Sequence, residues 1–200
     1  MRWWTSDLHF GHANIISYSG RPFADTAEMD AALVSAWNHV VAASDEVWVV
    51  GDVAMGRIAE NLSLVGQLAG RKVLVPGNHD RCWVGQPKGS QRWLTAYHEA
   101  GFADIVEGPV AVTIGSTRVL VDHFPYRGDS QTQERYLAYR PPDRGEWLLH
   151  GHVHDRWRQS GRQINVGVDA WGGGPVSDAT IAQLISAGCK ELAALPWGLD

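Results

Sequence analysis

Nine histidines in 200 residues, several of them beside a carboxylate or two residues from another histidine, are where chemistry concentrates in this sequence. Asp7 and His9 are two apart, so on extended backbone a carboxylate and an imidazole point to the same side, half of a metal site. Gly151-His152-Val153-His154 repeats that spacing with two imidazoles, which are costly to aim together unless they bind something. Gly51-Asp52, Gly77-Asn78-His79-Asp80 and Asp122-His123 complete the set. Taken singly, each has a plain reading. Gly-Asp is a common turn, Gly77–Asp80 is four turn-forming residues, and a lone histidine is more often packed than ligating. Their conjunction, in order along one chain, is what carries weight.

The elements that position them are legible as apolar runs. Arg2–Ser6, Glu46–Val50, Arg71–Val75, Thr117–Val121 and Trp147–Leu149 read as strands, and each ends directly before one of these blocks. In α/β sheets, sites gather outside the carboxyl ends of strands, where loops converge on a rigid edge. Between the early strands, Thr26–Ala43, Ile58–Leu68 and Ser90–Glu99 show apolar residues at three-and-four spacing and predict helices. The order βαβαβα predicts parallel strands with crossover helices. Later, Val110–Ile114 and Thr117–Val121 flank Gly115-Ser116 as a hairpin, Gln163–Val166 is a further strand, and Ser177 caps a last helix through Ile185. No repeat or linker divides the chain, so residues 1–200 read as one domain. A short tail is expected from about residue 190, clearest from Pro196.

Composition narrows the function classes. With 44% apolar and 20% charged residues the chain is globular in type, and no apolar run approaches the length that spans a bilayer. Two cysteines, Cys82 and Cys189, suit a reducing, cytoplasmic setting. A net charge of −5 argues against a protein that holds nucleic acid by neutralising phosphates.

Asp7-x-His9, Gly51-Asp52, Gly77-Asn78-His79-Asp80, His123 and Gly151-His152-x-His154 together resemble the calcineurin-like metallophosphoesterase signature. Phe10–Ile16 and Asn165–Asp169 are similar to a small bacterial and phage branch of that family. The resemblance implies an α/β (α+β) fold, a four-layer sandwich of two mixed sheets flanked by helices, with a dinuclear metal site at the strand edge. It implies that Asp7, His9 and His154 hold one divalent ion, that Asn78, His123 and His152 hold the other, and that Asp52 bridges them. Oxygen and imidazole ligands without thiolate suit manganese first, with iron, zinc or nickel as alternatives. The implied reaction is in-line attack of metal-bound hydroxide on phosphorus, with His79 beside the ions to protonate the leaving group. Asp80 is expected to hydrogen-bond the far nitrogen of His79.

His12, Asn14 and Arg21 after the first block, and Tyr126 and Arg127 after His123, are candidate substrate contacts. Asp122 stands where a small residue is expected. With little chain left over for a cap, an open cleft and a small or cyclic nucleotide-like phosphodiester substrate are expected, with no membrane or stable nucleic-acid partner. A phosphomonoesterase or protein phosphatase with the same metals is the alternative. A nuclease is disfavoured by charge, and an inactive binding module is disfavoured by the complete ligand set.

Overall fold

The computed structural model describes residues 1–86 and 90–198. Its first half comprises β1 (Arg2–Thr5), α1 (Ala13–Tyr18), α2 (Thr26–Val40), β2 (Glu46–Val49), α3 (Ile58–Leu62), β3 (Arg71–Leu74), α4 (Ser90–Ala100) and β4 (Phe102–Ile105). The second half comprises β5 (Val110–Ile114), β6 (Thr117–Val121), β7 (Trp147–His150), β8 (Gln159–Gly161), β9 (Gln163–Asn165), β10 (Val176–Ser177), α5 (Asp178–Ser186) and β11 (Lys190–Leu192). The strands form two mixed sheets, ordered β10-β1-β2-β3-β4 and β11-β8-β9-β7-β6-β5. Strands β1 to β4 run parallel, as the crossover helices require, and β10 adds an antiparallel edge.

Period-two alternation in the strands sorts side chains between two cores. Val47 and Val49 of β2 face the helices, joining Met29, Leu33 and Trp37 of α2 and Leu62 of α3. Trp4, Val50 and Val75 face the second sheet, where they meet Val119, Val121, Leu149 and Ile164. Two sheets flanked by helices are therefore the solution for strands apolar on both faces. Helix α2 starts because the Asp25 side chain accepts from Glu28 N, at 2.9 Å, while the Glu28 carboxylate accepts from Ala24 N. The helix expected over Ile58–Leu68 stops at Leu62 and tightens to a 3₁₀ turn over Ser63–Gln67. There Ser63 Oγ bonds back to the Glu60 carbonyl and Gly66 offers no side chain to hold a longer helix.

Several elements escaped the sequence reading. Helix α1 has six residues, too few for a periodic signal, and β8, β10 and β11 have two or three each. The expected tail is instead built in. Strand β11 pairs with β8, Leu195 N donates to Ala170 O, and the Trp197 ring packs against Phe23 and over the Arg21 guanidinium. Among the described residues no helix is long and apolar enough to cross a membrane.

The carboxyl ends of β1, β2, β3, β6 and β7 meet along one edge. Cross-sheet contacts lock them there: Ser6 bridges Gly167, and His123 Nδ1 lies 2.8 Å from Val50 O.

Candidate metal centre

The backbone at this edge is unusual. Asp7, His9, Asp52, His152 and His154 all take left-handed conformations, with φ between 52° and 71°. Such a conformation costs an L-residue roughly 1–2 kcal/mol and persists only where the surroundings over-determine it. Here they do. Asp7 N donates to Gly51 O and His9 N to Asp52 O, both at 3.0 Å, while His152 N donates to the Asp7 carboxylate at 3.1 Å. Strand alternation is therefore not what aims Asp7 with His9, or His152 with His154; a pair of left-handed turns past each strand end does. The chains also approach closely. A Cβ at Gly77 would stand 2.4 Å from Asp52 Oδ1, so only glycine lets the β3 loop pass the carboxylate.

Ligand-type atoms of Asp7, His9 and His154 lie within 4.8 Å of one another, as do those of Asp7, Asp52 and His123. Asp52 Oδ2 is 3.7 Å from His9 Nε2 and 3.5 Å from His123 Nε2. These separations are long for hydrogen bonds. They match two donors of one cation, since atoms each about 2.1 Å from an ion at tetrahedral angles stand about 3.4 Å apart. His9 Nε2 is fully buried with no hydrogen-bond partner, an expense that a cation would remove.

The far nitrogens tell the same story. His123 Nδ1 faces Val50 O at 2.8 Å, His154 Nδ1 faces Asp169 Oδ2 at 3.0 Å, and His152 Nε2 faces Asp129 Oδ2 at 3.1 Å. Carbonyls and carboxylates only accept, so each of these nitrogens carries the hydrogen and its opposite lone pair faces inward. His123 Nε2 and His152 Nδ1 then converge on Asn78 Oδ1 at 3.1 and 3.0 Å, three acceptors facing one another, an arrangement that only a cation among them would make favourable. This donor set, all oxygen and imidazole, could hold divalent cations.

Electrostatics favour the ligating form of Asp52 and His9, while the surrounding carboxylates draw His123 and His154 toward the proton that a cation would displace. Burial opposes ionisation of Asp52, but His123 and His79 outweigh it and hold its pKa below the usual value. Burial, then His154 and Arg21, push the His9 pKa well down, favouring the neutral ring. Burial lowers His123 and His154 too, yet Asp52 and Asp7 around the first, and Asp169 and Asp7 around the second, leave both raised. Asp169 and Asp129 stay low against burial, Asp169 through Arg21 and His154, Asp129 through hydrogen bonds from His152 and Arg135.

Above this floor opens a cleft of about 300 Å³, lined by His12, Ile15, Tyr18 and Met55 on one side and by Ser130, Gln131 and Arg135 on the other. Asp7, His9, Asp52, Asn78, His123, His152 and His154 are brought together at or beneath its floor, all buried. His79 is in its wall, side chain 37% exposed, with Nε2 turned to within 4.0 Å of Asp52 Oδ2. Among the candidate substrate residues, His12 lines the cleft, its Nδ1 3.3 Å from that of His9 and its pKa lowered to about 4 by burial and His79.

Other expectations need correction. The Asp80–His79 hydrogen bond is not formed: Asp80 is fully buried, and its carboxylate accepts from Asp52 N, Val53 N, Gly77 N and Tyr97 Oη. It shapes the turn that carries His79. Arg21 is equally buried, forked onto Asp169 at 2.8 and 2.9 Å and donating to Asp7 O and Leu8 O, with nothing left for a substrate. Asn14 is exposed on α1 outside the cleft lining, Tyr126 Oη turns to Glu146 O, and Arg127 projects to solvent. Asp122 has a structural job: its Oδ1 accepts from Phe124 N at 2.7 Å, fixing the bend after His123.

Sequence reasoning passed over Asp129 and Arg135 altogether, counted Tyr97 only among the apolar positions of the Ser90–Glu99 helix, and gave Asp169 no role. Asp129 and Arg135 lie in a polar loop without periodicity, and Tyr97 looks like one more core position of α4. Only the Asn165–Asp169 stretch carried a usable signal.

Residues 4–170 match the family profile described as the calcineurin-like phosphoesterase superfamily domain. The chain is 37% identical over 187 residues to the gene 66 protein of Mycobacterium phage L5, covering 85% of this chain and 87% of that one. It is likewise 37% identical to the gene 66 protein of Mycobacterium phage D29, with 84% and 88% covered. Among solved structures it is similar to AQ665, a protein of unknown function from Aquifex aeolicus, with TM-score 0.68, 25% identity and coverage of 92% and 98%.

Proposed function

From its membership of the calcineurin-like phosphoesterase superfamily, we propose that this chain is a divalent-metal-dependent phosphodiesterase acting on small, nucleotide-like diesters. The carrying observation is the buried set of inward-facing carboxylate, amide and imidazole atoms at the floor of an open cleft. Asp7, His9 and His154 would hold one cation and Asn78, His123 and His152 a second, with Asp52 shared, since its Oδ2 lies between His9 and His123. Cations held there supply a water acidified toward neutrality and positive charge against the phosphoryl oxygens.

The protein's own groups supply the rest. His79 holds a proton on Nε2 at the cleft wall and passes it to the departing oxygen. Its backbone N–H donates to Asp52 Oδ1 at 2.9 Å, which fixes the ring's root beside the cluster. Charge favours a diester. Arg21 is consumed by Asp169 and the Arg140 side chain is packed against Asp129, so Arg135, itself paired with Asp129 through Nε and Nη2, is the arginine of the cleft lining. One guanidinium suits a monoanionic diester better than a dianionic monoester. The cleft volume is at the small end for ligand pockets, in keeping with a substrate of nucleotide size.

The test is hydrolysis of matched diesters and monoesters by metal-stripped protein reloaded with manganese, iron, zinc or nickel. Diesters are expected to turn over faster, and chelator to abolish the reaction. Faster monoester hydrolysis would give the phosphomonoesterase reading instead, and chelator-insensitive activity would refute the metal requirement.

A further inference from the structure

The loop between β6 and β7 contains a buried carboxylate with more partners than a loop needs. The Asp129 side chain is wholly inaccessible. Its Oδ1 accepts from Arg135 Nη2 at 2.7 Å, Arg135 Nε at 3.1 Å and Gln131 N at 3.1 Å. Its Oδ2 accepts from Arg135 N at 2.9 Å and faces His152 Nε2 at 3.1 Å. Arg140, its side chain 4% exposed, reaches the same Oδ2 and closes the ring by donating to Arg135 O. The rings of Phe124 and Tyr136 stand edge-on to the His152 imidazole, with centroids 5.2 and 5.6 Å away. Tyr136 takes left-handed backbone to get there, the remaining non-glycine case among the described residues.

This arrangement mirrors the other histidine of the Gly-His-x-His block. His154 gives Nδ1 to Asp169, which Arg21 clamps; His152 gives Nε2 to Asp129, which Arg135 and Arg140 clamp. The two clamps differ in one respect. Arg21 is sealed in the interior, whereas the Arg135 side chain is 37% exposed and lines the cleft. Its Nε and Nη2 are taken by Asp129 and Ser130, and Nη1 makes no hydrogen bond among the described residues.

We propose that Asp129 is the positioning residue for His152, holding the ring with hydrogen on Nε2 and Nδ1 turned inward, and that the same carboxylate sets Arg135 as the contact for an anionic substrate oxygen. The second half rests on the phosphodiesterase reading. The first does not, because an imidazole whose far nitrogen is fixed by a carboxylate is a better-oriented ligand whatever the substrate.

The experiment has three arms on the full chain. Long-range ¹H–¹⁵N spectra of the metal-free protein, with the His152 signals identified by their loss in His152→Gln, read the tautomer directly. Nε2–H is expected in the wild type, retained in Asp129→Asn and lost in Asp129→Ala; an Nδ1–H wild type overturns the assignment even if a variant fails to fold. Titration with manganese alone should show one cation bound about 10–100-fold more weakly in Asp129→Ala and closer to wild type in Asp129→Asn. Wild-type affinity for both cations in Asp129→Ala refutes the positioning role. In the third arm, Arg135→Gln should raise KM for a diester about tenfold, with a smaller change in kcat; an unchanged KM removes Arg135 as the contact. A wild type that binds manganese but hydrolyses no diester would sink the phosphodiesterase reading and leave the tautomer and affinity results standing.

Discussion

Replacing Asp80 by alanine tests what this residue does, and the structure gives the size of the effect. Its carboxylate is fully buried and accepts from three backbone amides, Asp52 N at 2.8 Å, Val53 N at 3.1 Å and Gly77 N at 2.8 Å, together with Tyr97 Oη at 3.1 Å. A buried donor left without a partner costs about 1–3 kcal/mol, so three amides put about 3–9 kcal/mol at stake. Water entering the vacated space recovers part of this, which places the expected loss for Asp80→Ala at about 3–5 kcal/mol, a large fraction of a typical domain's 5–15. Asp80→Asn should lie between, because the amide keeps one oxygen for Asp52 N and Gly77 N and turns an NH₂ toward a single N–H donor, Val53 N. Tyr97→Phe should lose only about 1–2 kcal/mol, the bonds to Asp80 and from Arg81 N. Urea unfolding of chelator-treated protein at pH 7.5, followed by tryptophan fluorescence, measures all three. Burial and the nearby Asp52 hold the Asp80 pKa up at about 6, so that pH reads the ionised acceptor. Asp80→Ala unfolding within about 1 kcal/mol of wild type would refute the reasoning. So would a variant of full stability whose turnover loss tracks leaving-group pKa, since that would make Asp80 the partner of His79 after all.

His79→Ala should keep its metals yet lower turnover by roughly 10²–10⁴-fold, least for nitrophenolate and most for alkoxide leaving groups; an equal loss for all of them removes the acid role. Asp52→Ala should lose more metal and more rate than Asn78→Ala, because Asp52 Oδ2 stands between His9 and His123, and full metal content by elemental analysis would contradict bridging. Asp122→Asn addresses pH. Burial lifts the Asp122 carboxyl to about 6, above the unfolded value, so this group's contribution to stability is full below about pH 4 and is lost as pH rises through 6. The variant keeps the acceptor for Phe124 N and should gain up to about 3 kcal/mol over wild type at pH 7.5 but little at pH 4; an equal gain at both pH values would exclude the titration.

The sequence by itself determined the parts that local patterning encodes. Short apolar runs rich in β-branched residues located the strands that carry the site, three-and-four spacing located α2 and α4, and the residues just past β1, β2, β3, β6 and β7 announced a carboxylate–imidazole cluster by type alone. The family followed from those motifs in order. What the sequence could not express is how the far side of each ligand is held, because that depends on partners distant along the chain. Asp129 meets His152 across 23 positions and Arg21 meets Asp169 across 148, so no local spacing marks either pair. The same reason misplaced Arg21 and Asp80: both look like polar loop residues beside a ligand, and both are buried because orphaned backbone groups and a clamped carboxylate needed them more than solvent or substrate did. Even the aim of Asp7 with His9 was right for a different cause, left-handed backbone enforced by the neighbouring strand rather than the alternation of an extended one. Side-chain type and order are written in the chain; which atoms of a buried polar group are left over for chemistry is decided only when tertiary packing has satisfied the others.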